Sequence, residues 1–134
     1  MLAAVIERLP ESPALYPQDE LSDRPMRFLV AERVREAAYA VLSQELPYAL
    51  AVEVVEFDES RPELTRIRAE LLVERKSQKL IVVGRAGTSI RRIGTRARPA
   101  IEEMVGGQVH LELWVKVEPR WAQQPRRLRS LGYS

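Results

Sequence analysis

Between Val109 and Val117 every second residue is apolar: Val109, Leu111, Leu113, Val115 and Val117 alternate with His110, Glu112, Trp114 and Lys116. Period two predicts a strand with one buried face and one wet face. Such a strand needs neighbouring strands and a layer to cover its apolar side, so the rest of the chain must supply both. Two other segments supply strands. Tyr48–Phe57 is rich in β-branched and aromatic residues, and Arg66–Glu74 places Ile67, Ala69, Leu71 and Val73 opposite Arg66, Arg68, Glu70 and Glu74. The polar, proline-containing DESRPEL between them predicts a hairpin loop.

The covering layer is helical. Phe28, Ala31, Val34, Ala38, Val41 and Leu42 recur at three- and four-residue steps, which predicts an amphipathic helix opening near Ser22, Asp23 and Pro25 and stopping before Pro47. Ile90, Ile93, Ala97, Ile101 and Met104 predict a second, ending at Gly106–Gly107. Pro99 falls inside it, where a proline removes a backbone donor and predicts a bend between Gly94 and Pro99. The apolar run Lys79–Val83 is too short for periodicity to assign to helix or strand. The expected fold is therefore α+β: a three-stranded antiparallel or mixed sheet with helices packed on one face.

Composition narrows the chemistry. The 134 residues suit one domain and contain no cysteine and one histidine, His110. Disulfides, thiolate metal sites and thiol nucleophiles are thereby excluded, and multi-histidine metal sites with them. No apolar run reaches the roughly 18 residues of a membrane span, and MLAAVIERLPES is too short in apolar length for a secretory signal, so a cytosolic protein is expected. Leu2–Leu9 has helical spacing, and the prolines at 10, 13, 17 and 25 predict a linker after it. The expected division is a remnant helix and linker at 1–21, a domain at 22–118 and a basic tail at 119–134, with a helical turn or two from Pro125.

Charge is unevenly placed. Residues 1–74 carry 8 basic and 15 acidic side chains, a net of −7, whereas residues 75–134 carry 13 and 4, a net of +9. Eighteen of the 21 cations are arginine, whose planar fork suits phosphate and whose face stacks on bases. A basic half inside a nearly neutral whole points to a nucleic-acid partner.

Within that half, Gly84-Arg85-Ala86-Gly87 stands directly before the second amphipathic helix. The glycines let the backbone turn tightly and approach a ligand, and the helix N-terminus behind them favours phosphate. Strand, short element, GxxG with a basic residue, helix and strand is the arrangement of a KH domain, which clamps about four single-stranded nucleotides at this loop. The stretches LYPQDELSDRPMRFLVAERVRE, ELPYALAVEVVEF, LLVERKSQKLIVVGRAG, IGTRARPAIEEMVGG, VHLELWVKVEPRW and PRRLRSLGY resemble the C-terminal part of the Era family of bacterial GTPases. The resemblance covers nearly the whole chain and implies a type II KH domain that binds single-stranded RNA near the 3′ end of 16S rRNA, in the biogenesis of the small ribosomal subunit.

Carried onto this sequence, the resemblance makes Gly84, Arg85, Ala86 and Gly87 the RNA-clamping loop. Ile81, Val83 and Ile90 become the apolar wall of the groove, and Lys76, Lys79, Arg91 and Arg92 the phosphate contacts. It also implies a cytoplasmic monomer, peripheral to the inner membrane face. No GxxxxGK[ST] motif occurs, so no enzymatic activity, cofactor or metal is expected from these residues. The alternative is a docking or regulatory module whose basic face meets an acidic partner or a separate GTPase domain. Ser77, Thr88 and Ser89 are expected as helix caps, His110 as an exposed surface residue, and Trp114 and Trp121 as packing for the tail. Glu53, Glu56, Asp58, Glu59 and Glu63 are expected to be a solvated strand end and turn.

Overall fold

The computed structural model describes residues 18–42 and 49–132, with side chains from Pro25 onward. The expected helix at Leu2–Leu9, the linker up to Pro17, and Tyr48 and Tyr133 lie outside the described residues. Helix α1 spans Gln18–Val41, strand β1 Ala51–Arg61, β2 Leu64–Val73, helix α2 Lys76–Val83, α3 Thr88–Val105, β3 Val109–Val117 and α4 Pro125–Ser130. Single 3-10 turns at Arg85–Gly87 and Trp121–Gln123 precede α3 and α4.

The sheet is mixed, in the order β1-β2-β3, with β1 antiparallel to β2 and β2 parallel to β3. Parallel strands cannot be joined by a tight turn, so α2 and α3 form the crossover between them. Val30, Val34, Ala38, Val52, Ile67, Ala69, Leu71, Val82, Ile93, Ala97 and Ile101 interlock as the main core between the helices and one sheet face. β1 is longer than expected and the hairpin tighter, with Arg61 pairing with Leu64 across Pro62 and Glu63. A register shift between Val54 and Glu56 lets Val54 and Phe57 both lie toward the helices although they are three residues apart. Asp58 Oδ1 accepts the Ser60 amide at 2.9 Å. That bond, the Ser60 side chain, and Arg66 and Arg61 nearby hold the Asp58 carboxyl below its usual range.

Three local expectations are corrected. α1 begins at Gln18, so Pro25 sits inside the helix and residues 18–21 belong to it rather than to a linker. Phe28 leaves the core face and lies against the tail, where a Cβ on Gly132 would come within 2.6 Å of its ring. The residues left ambiguous at 79–83 are helix, because the Gln78 side chain accepts the amides of Glu74 and Arg75 at 2.9 and 3.0 Å and organises the first turn of α2.

The tail folds back onto the second sheet face. Trp121 and Leu131 bury Ala51 and Leu72, with Ala122 and Leu128 at their margin. Arg127 locks this contact by donating to Glu53 on β1 at 2.7 Å and to Glu118, just beyond β3, at 2.8 Å. Its pKa is raised above the ordinary arginine value, chiefly by the Glu53 hydrogen bond, with Glu118 adding and burial opposing. The guanidinium therefore stays charged at every working pH. Arg127→Ala is expected to lower stability by about 1–3 kcal/mol, since both carboxylates lose a charged donor. Denaturation with tryptophan fluorescence would record this, and an unshifted midpoint would show that the apolar contacts hold the tail alone.

Candidate nucleic-acid interface

The turn between α2 and α3 is built from left-handed backbone. Gly84 has φ +78°, Ala86 +53° and Gly87 +76°. At Gly84 the requirement is double, because an added Cβ would lie 2.4 Å from Ser89 Oγ and 2.8 Å from the Ser89 nitrogen. Ala86 adopts a region that L-residues other than Asn and Asp seldom visit, a cost that the flanking helices impose. Gly84 donates to Leu80 O at 2.9 Å, Gly87 to Gly84 O at 3.1 Å, and Thr88 to Arg85 O. Arg85 and Ala86 form the exposed tip of the turn. Ser77, Thr88 and Ser89 do not serve as caps: the first turn of α2 is capped by the Gln78 side chain, and Gly87 stands at the N-cap of α3, which has no side-chain cap hydrogen bond.

Around this tip the charge is one-sided. Arg85, Lys76, Lys79, Arg91, Arg92, Arg96 and Arg98 are all exposed, and neither α2 nor α3 has an acidic residue in its first turn. Among the described residues none of these seven cations is held in an ion pair. They remain available to a mobile anion.

A groove of about 420 Å³ lies between α3 and β3, lined by Ile90, Arg91, Gly94, Thr95, Arg98, His110, Leu111 and Leu113. Ile90 lines this groove. Ile81 is not among the lining residues and is 53% exposed on α2, while Val83 packs against the core. Arg91 borders both this groove and a shallow hollow on the α1 side, where Arg92 also stands with Val41 and Arg96. Gly94, Leu111 and Leu113 escaped notice, although one signal was present: glycine within a helix costs about 1 kcal/mol against alanine and wants a reason. Here its bare backbone forms the groove floor, with Leu113 Cδ1 3.6 Å from where a Cβ would stand. α3 continues as one helix through Pro99, and Thr95, whose carbonyl loses its donor, lies on the exposed side where water can reach it. His110 is exposed, as expected.

Two parallel strands joined by helix, GxxG turn and helix define an α+β module organised around its glycine loop. A family model described as "KH domain" matches residues 45–122, and the chain belongs to that family. GTPase Era of Nitratidesulfovibrio vulgaris is 47% identical over 133 residues, covering 98% of this chain and 43% of the relative. GTPase Era of Leuconostoc citreum is 42% identical over 134 residues, covering 100% and 44%. Among solved structures, Era in complex with MgGDPNP and nucleotides 1506–1542 of 16S ribosomal RNA superposes with a TM-score of 0.75 at 38% identity, over 93% of this chain and 42% of that one. Aquifex aeolicus Era bound to GDP and aluminium fluoride also gives 0.75, at 40% identity over 94% and 42%. The chain thus spans less than half the length of these relatives, on their KH-bearing C-terminal part.

The double constraint at Gly84 is directly measurable. Gly84→Ala is expected to cost more than ~1 kcal/mol in chemical denaturation, whereas Gly107→Ala, with no positive φ and open space, is expected to be nearly silent. Equal effects at both sites would refute the steric account.

Proposed function

We propose that this chain binds single-stranded RNA of the 16S rRNA 3′-end type and serves small-subunit biogenesis in the cytoplasm, without catalysis of its own. The observation that carries this reading is the positive-φ turn Gly84–Gly87 at the N-terminus of α3, with Arg85, Lys76, Lys79, Arg91 and Arg92 exposed around it and none of them in an ion pair among the described residues. Phosphates would meet the backbone of that turn with Arg85, Arg91, Lys76 and Lys79 around them, and Arg92 would engage phosphates passing on the α1 side. Bases would lie on Ile90, Leu111 and Leu113 above Gly94, with Ile81 and Val83 extending the apolar wall toward α2. Residues 18–118 form the RNA-binding unit, with the basic tail 119–134 beside it. Among the described residues no helix is long and apolar enough to cross a membrane. The RNA-bound Era structure at 38% identity supports the ligand class.

Arg85→Asp with Ala86→Asp is expected to abolish filter binding to an RNA of 16S 3′-end sequence while circular dichroism stays native, because aspartate tolerates the left-handed backbone at position 86. Unchanged binding would remove the loop from the site. Gly94→Ala separates binding from folding more sharply. A Cβ fits sterically, so the helix should gain about 0.4–1 kcal/mol, yet the methyl raises the groove floor and RNA affinity should fall. Stability and affinity rising together would sink the groove assignment. Affinity should also fall as salt increases, with a log–log slope of about −0.7 for each phosphate neutralised on a single strand.

A further inference from the structure

The outer face of β3 carries a tryptophan that the tail does not cover. Trp121 is the tryptophan that packs the tail, at 3% exposure, whereas Trp114 is 50% exposed, contrary to the sequence expectation for that residue. Trp114 is nevertheless held. Its Nε1–H donates to Glu112 Oε2 at 2.8 Å, and the Arg68 guanidinium carbon lies 5.3 Å from the ring centroid. Arg68 Nε is buried without a hydrogen-bond partner, so stacking on the indole is what this guanidinium does here. The ring is thus backed on one side, tethered at its edge, and half open to solvent.

The neighbourhood indicates what the open part suits. In the sheet register Trp114 stands beside Glu70, and Arg68 beside Glu112, Arg66 beside His110 and Leu72 beside Lys116. Leu72 is taken by the tail, so Trp114 stands apart from any apolar patch on this face. Protein interfaces place their aromatic anchors within an apolar, desolvated centre, which is missing here. A single planar ligand with a polar periphery needs only the ring. The position is also continuous with the groove: β3 is the edge strand, its Leu111 and Leu113 line the groove, and its His110 borders it at the same strand's start.

We propose that Trp114 is a base-stacking platform for a nucleotide of the same RNA strand, beyond those held at the glycine loop, where the strand passes over the β3 edge. Arg68 and Glu112 are positioning residues that keep the indole plane in place. This rests on the RNA-binding reading above and adds a second contact outside the groove.

The test compares a four-nucleotide RNA, which fills only the loop groove, with a ten-nucleotide RNA extended on both sides of it. Expected is tryptophan quenching by the longer RNA alone, and tighter binding of it. Trp114→Ala should weaken the longer RNA about tenfold, the scale of one base–aromatic stack, and leave the shorter unchanged. Trp114→Phe should retain most of the affinity, and Glu112→Gln should weaken only the longer RNA. Quenching that persists in Trp114→Phe would place the signal elsewhere. Equal loss for both RNAs, or no loss for either while Arg85→Asp with Ala86→Asp still abolishes binding, would overturn the platform and leave the groove intact. Failure of the unaltered chain to bind either RNA would overturn the RNA reading itself.

Discussion

Parallel pairing of β2 with β3 is the constraint from which the rest of this molecule follows. The two strands run the same way, so the chain must travel the length of the sheet between them, and it does so as two helices. Those helices meet at a corner, and the corner is made of left-handed backbone at positions 84, 86 and 87. A corner of this kind turns the chain sharply and starts α3 at the same place. The positive end of the α3 dipole is therefore presented as a by-product of connecting two strands, and the exposed arginines around it make the corner a cationic surface.

The same crossover makes the groove. β3 is an edge strand, and α3 lies beside it without closing the gap, because Gly94 contributes no side chain at the point of approach. The result is a cleft with a glycine floor, a leucine wall and an arginine rim. Each part comes from a different level of the structure: a backbone special case, a strand face and a helix surface.

How much of this could be read from residues alone depends on the range of the interaction involved. Alternation at Val109–Val117 and the apolar stripe Ile93, Ala97, Ile101 were legible because burial acts with the period of the element itself, and both appear as expected. The glycine loop was legible because few residues besides glycine accept such backbone. Harder were features decided by distant partners. Lys79–Val83 is helical because of a side chain at position 78, and α1 extends back through Pro25 to Gln18 although local signals suggested a later start. Whether Trp114 or Trp121 packed the tail turned on strand register, which sequence spacing does not reveal. Helical rotation, not proximity in sequence, also places Arg91 at both the groove and the α1-side hollow but Arg92 at the hollow alone.

The Arg127 lock has a mechanical corollary. By gripping Glu53 on one edge strand and Glu118 just past the other, it ties together two margins of the sheet that share no ladder of their own. Tension on the C-terminal end is thereby split between both margins, and β3 is loaded in shear through its neighbours and not unzipped residue by residue. The cleft that uses β3 as its wall is in this way shielded from a pull on the C-terminal segment.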